Sequence, residues 1–515
     1  MPNPEYPMQR NDPEGQRLVA EDRLSEQLAV EELAGELSGT AFLSEPLQVV
    51  GPHVPDVVAD DAVTPGRLTR LRHALGLDRA VVFTVLARGW SSLAGIVTLA
   101  LIARFLSRAE QGYYYTFYSL VALQMIFELG FSVVILQTAS HEAAHLQFHD
   151  HGRIEGPVAA HSRLASVLQK SVRWYTIGAL VMVAILLPVG IRFFSSTPVA
   201  TPPVHWLGAW CLVVVASGFT FQIDPTFSFL EGCGFVSSVA RARLMQAMAG
   251  TLLGWAALAL HHGLYAPGLL ISSQAIVGIL YLMRRRNLLG PLLRRVQTEF
   301  AIDWGTEVWP FQWRIAVSWV CGYFITQLFT PVLFHYRGAG GVIEAGQMGM
   351  TVNICGTLTS VAIAWMNTKA APFGRLIALR EFAALDRMFF RALRQSLGAA
   401  LLASVAVWVA VALLRARGIP LALRILPLAP LALLLVTSMC NILVFAEALY
   451  LRAHKQEKFM MNSILGALWM VPAALLLGRW YGAYGIAVGY FLGTLFIGVG
   501  LGTTTFAKYR RVWHA

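Results

Sequence analysis

Two arginines stand inside long apolar stretches, one in each half of the chain. Arg88 lies in AVVFTVLARGWSSLAGIVTLALIA and Arg314 in WPFQWRIAVSWVCGYFITQLFTPVL. Runs this long and this apolar read as membrane spans. An arginine within one costs roughly 3 kcal/mol on insertion scales, so it marks a pathway, a ligand or a partner. The guanidinium stays protonated and binds phosphate oxygens two at a time, which suits it to an anionic headgroup. The competing reading has each arginine snorkelling to the headgroup layer, or pairing with a carboxylate such as Glu128. Arg104 reads as a snorkelling residue at the end of its stretch.

Acids inside the apolar stretches are few: Glu128, Asp224, Glu344 and Glu447. Such groups couple to protons or sodium, hydrogen-bond sugar hydroxyls, or close internal salt bridges. Glu128 stands two residues before Gly130, and Asp224 directly before Pro225, so both adjoin helix-breaking residues. Gln124, Gln327, Gln347, Asn353 and Asn441 either line a polar path or hydrogen-bond between helices. A different chemistry is offered by His141-Glu142-Ala143-Ala144-His145, which matches H-E-x-x-H, two zinc ligands one helical turn apart with a general-base glutamate. His149, His151 or Glu155 would supply a third ligand. The run is locally rich in histidine and no downstream ligand aspartate motif occurs, so a solvated loop is the favoured reading and no metal is expected.

These residues need a frame, and composition supplies it. The chain has 515 residues, of which 56% are apolar and 13% charged, and its mean hydropathy is +0.58. Soluble domains carry about 25% charged residues. The five cysteines form no paired spacing, so neither a disulfide framework nor structural zinc is expected. No phosphate-binding loop of the GxxxxGKS type is present, so ATP hydrolysis by the chain itself is not expected. Charge is split. Residues 1–78 hold fourteen acids against six arginines and no lysine, leaving a formal +19 on the remainder. A basic membrane domain fits anionic lipid headgroups or an anionic substrate.

Residues 1–78 read as an acidic, largely disordered cytosolic tail without a signal peptide, although Leu24, Leu28, Leu33 and Leu37 share one helical face. Twelve apolar stretches follow between 80 and 507, among them 80–106, 113–139, 309–335, 459–479 and 482–507. Lys and Arg concentrate in alternate turns, which puts both termini in the cytosol. The stretches read as six plus six. Arg88 followed by Ala109-Glu110-Gln111-Gly112 is echoed by Arg314 followed by Ile343-Glu344-Ala345-Gly346. An even repeat inserts both halves the same way up. The expected fold is an all-α polytopic membrane protein with about twelve transmembrane helices in two six-helix lobes, related by a parallel pseudo-repeat. The lobes are 79–283 and 309–507. A basic connector, 284–308, joins them as an amphipathic interfacial helix (Leu288, Leu289, Leu292, Leu293, Val296), and 508–515 forms a cytosolic tail.

Three stretches resemble a known family: ARGWSSLAGIVTLALIARFLSRAEQGYYYTF (87–117), ELGFSVVILQTASHE (128–142) and FLEGCGFVSSVARARL (229–244). The turn RFLS-x-x-EQGYYYTF is the most telling. The chain resembles the multidrug/oligosaccharidyl-lipid/polysaccharide exporter superfamily over about 80–510, and within it the O-antigen-type flippase branch. The acidic tail is not part of that pattern. The resemblance implies a transporter rather than an enzyme, turning a polyprenyl-diphosphate-linked oligosaccharide across a bacterial inner membrane by alternating access, without a cofactor. Arg88 and Arg314 would then hold the diphosphate, and Glu128, Asp224 and Glu344 would contact sugars or couple the cycle. Implied partners are the lipid-linked glycan, membrane lipids, and polysaccharide polymerase or glycosyltransferases of the same pathway, with no nucleic acid. A cation-coupled multidrug exporter of the same fold is the alternative, and an intramembrane zinc metalloprotease a more distant one.

Overall fold

The computed structural model describes residues 79–149, 153–196, 203–294, 300–454 and 459–514. The acidic segment 1–78, with its leucine face, and His151 and Val296 lie outside the described residues. Helix α1 (Arg79–Phe105) opens the first half. It stops at Ser107, whose hydroxyl accepts the Glu110 N–H while the Glu110 carboxylate accepts the Ser107 N–H, a reciprocal cap that starts the next helix.

That next apolar stretch is three pieces rather than one straight span: α2 (Arg108–Val121), α3 (Gln124–Glu128) and α4 (Phe131–Ala143). Leu129 and Gly130 both adopt left-handed backbone, φ 53° and 67°, and the path bends by 43°. Glycine suits the second position twice over, since a Cβ there would run into Ile315 and Trp319. The second half breaks its first stretch too. Helices α10 (Trp309–Thr326) and α11 (Phe329–Tyr336) meet at 45°. Pro331 has no N–H to offer the Gln327 carbonyl, so the hydrogen-bond ladder fails there.

Between these breaks run α5 (Val158–Ser195), α6 (Leu207–Gly232), α7 (Val236–Ala259), α8 (Ala266–Arg284) and α9 (Arg286–Arg294). A two-residue hairpin, β1 (Gln147–Phe148) with β2 (Ile154–Glu155), joins α4 to α5 where a plain loop is expected from sequence. Helix α9 is the amphipathic element of the connector. Its Leu288, Leu289 and Leu292 are buried against the protein, and Gln169 on α5 donates to the Leu292 and Leu293 carbonyls, so this face covers α5 rather than lipid.

After α11 come α12 (Gly338–Asn367), α13 (Ala370–Ala378), α14 (Phe382–Ala416), α15 (Leu428–Ala453) and α16 (Met460–Gly493). Helix α16 reverses at Gly482, φ 63°, and Thr494–Leu501 is π-wound before α17 (Gly502–His514). Helical structure thus reaches His514 rather than ending near 507. The physical reason is visible: Arg510 grips the Asp386 carboxylate, and Trp513 stacks on His454 at 4.3 Å between ring centres.

The chain is a multi-span helical membrane protein. Among the described residues, seven helices are long and apolar enough to cross a membrane, or up to nine if each bent pair is one span. Large apolar side chains such as Leu180, Ile185, Leu402, Val405 and Phe496 stay exposed along them, as a lipid-facing belt requires. The inward core is aromatic, with Trp210, Tyr175, Phe227 and Phe334 fully buried. In the first half α1 packs on α7, α5 on α6 and α6 on α8; in the second, α10 packs on α16, α14 on α15 and α15 on α16. The halves meet chiefly through α2 against α11 and α12, and α3 against α10.

Candidate functional site

The seam between the halves has three levels. At one end, near the α1–α2 turn, it is made of glycine. Gly112 on α2 faces the Val342 carbonyl so closely that a Cβ would overlap it, and a Cβ on Gly346 would stand 2.8 Å from the Gly112 nitrogen. This end is also bolted by backbone acceptors. The Gln111 amide donates to the carbonyls of Gly346, at 2.8 Å, and Arg424, at 3.0 Å. The Arg424 guanidinium returns a bond to Gln111 and another to the Leu106 carbonyl. Two turns deeper, Thr330 donates to Ser119 at 2.6 Å.

At the middle level lies an acidic cluster on the first-half side. Glu128 sits immediately before the α3–α4 break and accepts from Ser132 at 2.7 Å; Ser132 in turn meets the Tyr175 hydroxyl at 3.2 Å. Asp224 on α6 lies within electrostatic reach of Glu128, and Arg243 on α7 within reach of both. Arg243 donates to the buried Glu231 at 3.2 Å and covers the Phe227 ring at 5.2 Å. Among the described residues, three carboxylates therefore share one guanidinium. In an apolar surround that imbalance favours taking up a cation or protons. The break beside Glu128 is joined to the other half directly, because Gln312 on α10 donates to the Leu129 carbonyl.

At the far end the connector closes the seam. Arg163 on α5 donates to Glu142 at 2.7 Å and to Glu307 at 2.6 Å. Lys170 donates to the Ile302 carbonyl, and the Ile302 N–H donates to Ser166. Trp304 stacks on Phe131, and Phe131 on Trp174, each 5.4 Å between ring centres. Burial works against the Glu307 charge, but bonds from Arg163 and from the Asp303 N–H hold its carboxyl below the ordinary value.

The sequence-derived candidates divide accordingly. Glu128 and Asp224 come together. Glu344 does not join them: it sits at the glycine end, 3.4 Å from Arg337, accepting the Ala483 N–H at the start of the reversed part of α16. The backbone carries Arg88 on α1 and Arg314 on α10, two residues past Gln312. Their side chains lie outside the described residues. Gln347 and Asn441 make interhelical bonds, to the Leu423 carbonyl and the Tyr490 hydroxyl. Glu447 accepts from Thr503.

The H-E-x-x-H run closes α4 and turns out of it with His141 and His145 exposed, as a solvated segment would be, but its glutamate is not free. Glu142 is buried and occupied by Arg163, and His149 instead faces Glu155 at 3.3 Å. Among the described residues no three His, Cys, Asp or Glu side chains gather as a metal site. Sequence reasoning gave no role to Gln312, Arg163 or Arg243. Arg243 carried a usable signal, a cation eight residues into an otherwise helical apolar stretch.

No family model and no curated protein sequence matches the chain. Solved structures do. The lipid II flippase MurJ in an inward closed conformation superposes with a TM-score of 0.58 at 12% identity, over 82% of this chain and 87% of that one. An inward-facing multidrug resistance MATE family transporter of the MOP superfamily gives 0.53 at 13%, over 82% and 99%. A MOP superfamily transporter from Pyrococcus furiosus gives 0.50 at 11%, over 85% and 96%. The fold is that of the MOP-superfamily transporters.

Proposed function

We propose that this protein is a flippase for a polyprenyl-diphosphate-linked oligosaccharide, working by alternating access in a bacterial inner membrane with both termini cytosolic. The observation that carries the reading is the placement of Arg88 and Arg314 in the first helix of each half. Helix α1 packs on α7 within the first half, and α10 on α16 within the second. A diphosphate headgroup presented to two such arginines exchanges hydration for bidentate bonds, while its prenyl chain stays in lipid. The likeness to a lipid II flippase supports this substrate class. In this reading each broken helix serves as one span and α16 as two, divided at Gly482, so that two six-helix lobes, 79–283 and 309–507, are joined by 284–308. Glycosyltransferases and a polysaccharide polymerase of the same pathway are the natural partners of such a transporter.

A second reading is favoured by one observation, the excess of carboxylates over Arg243. A cation-coupled multidrug exporter of this fold would need such acidic groups, and one of the similar structures is named as a multidrug resistance MATE family transporter. In the flippase reading Glu128 and Asp224 couple glycan movement to an ion instead. A strain lacking the protein separates the two. Lipid-linked glycan accumulating on the cytosolic leaflet, restored by the wild-type chain but not by Arg88→Ala or Arg314→Ala at equal membrane abundance, is the expected result. Hypersensitivity to cationic drugs without glycan accumulation would replace the flippase by the exporter. Normal glycan export by both arginine variants would remove the arginines from the site.

A further inference from the structure

The connector does more than span the two halves. It leads straight into α10, so any rocking of the second half must carry residues 302–308 with it. Those residues are held to α5 of the first half by Arg163, Ser166 and Lys170, and to α4 through the Trp304–Phe131 stack. The Arg163 guanidinium is the centre of this joint. One nitrogen is committed to Glu142, a buried carboxylate of its own half, and another to Glu307, at the threshold of α10.

The two arms differ in kind. The Glu142 side chain is 7% exposed, whereas that of Glu307 is 42% exposed. Water can replace Arg163 at Glu307 at little cost, but the buried Glu142, if it lost Arg163, would fall back on His141, a weaker partner 3.9 Å away. We infer that Arg163 is a one-sided latch: it stays with Glu142 throughout the cycle and releases Glu307 when the connector-end mouth of the seam opens. This inference rests on the alternating-access reading, but not on what is transported. It assigns the strength of closure at this mouth to a solvent-exchangeable ion pair, tunable by salt, and leaves the other arm as a fixed pivot. Residue 307 is then the position at which closure is adjusted without loss of fold.

The test measures opening rather than transport. Spin labels are placed at Arg153→Cys, in the hairpin turn, and Leu379→Cys, after α13, in a background free of native cysteines, with the full chain in nanodiscs. Both positions are exposed and lie at the connector end, since α12 starts at the glycine end and is 30 residues long. Glu307→Gln keeps the acceptor for the Asp303 N–H and removes the charge. An exposed ion pair sets populations by a small factor, so about a three- to five-fold rise in the open fraction is expected, larger in Glu307→Lys. Raising salt to about 1 M should reproduce the Gln variant in the parent protein and do nothing further in the variant. If neither variant lengthens the distance, or if salt acts equally on parent and variant, the latch is overturned. A glycan assay that fails while the labels separate as expected would overturn the substrate reading alone.

Discussion

The two ends of the seam are closed by opposite means. At the α1–α2 end, backbones touch through Gly112 and Gly346, with Gln111 and Arg424 bonded to carbonyls across the joint. At the connector end, closure runs through side chains: one guanidinium, two carboxylates and a row of three stacked rings. A glycine joint depends on close backbone approach and tolerates almost no addition. An ion-pair joint tolerates substitution and answers to salt and charge. In the alternating-access cycle proposed above, the first would serve as a fixed seat and the second as an adjustable clasp.

The largest expected effect falls on the dry seat. In Gly346→Val or Gly112→Val the new side chain meets backbone, which cannot yield as a flexible side chain would. A loss of about 3 kcal/mol or more follows, read as a collapse of the monodisperse peak in fluorescence-detected size exclusion. If these variants melt like the parent, the glycine seat is not what joins the halves. Next comes the buried arm of the clasp. Glu142→Gln leaves Arg163 with a weaker, uncharged acceptor, and about 2 kcal/mol is expected, reduced from the value for fully buried pairs because Arg163 is partly solvated. A thermal shift no larger than that of Glu307→Gln would erase the distinction between the two arms. Glu307→Gln itself should cost less than about 1 kcal/mol, measured the same way.

The smallest effect concerns pH. Bonds from the Thr306 hydroxyl and the Gly305 N–H hold the Asp303 carboxyl below its ordinary value. A carboxylate lowered in this way adds order above its unfolded value, near 4, and loses it as pH falls through the lower folded value. The turn at 303–306 should therefore exchange its amide hydrogens faster in acid, and Asp303→Asn should remove that dependence. Unchanged exchange profiles would mean the turn is held by Trp304 instead.

Much of this frame was legible in the sequence because membrane spans announce themselves locally. About twenty apolar residues in a row have few alternatives to a helix in lipid. The Ser107–Glu110 cap is equally local, its two partners three residues apart. Glu128 and Asp224 could be suspected from their rarity and from Gly130 and Pro225 beside them. Other features depended on distant partners. Nothing in the H-E-x-x-H run foretells that Glu142 faces Arg163, which comes 21 residues later. The spacing of Leu288, Leu289 and Leu292 marks an apolar face but does not say whether lipid or α5 covers it.

By itself, then, the sequence determined a basic, all-helical, multi-span membrane protein with rare charges in its spans, since each of those properties is set within a window of about twenty residues. The tertiary structure decided which charges meet. It brought Glu128 within electrostatic reach of Asp224 and Arg243, sent Glu344 to the opposite end, and bent α2–α4 so that the Leu129 carbonyl met Gln312. Those outcomes depend on how helices far apart in the chain pack against one another, and pairwise packing leaves almost no trace in any single stretch of residues.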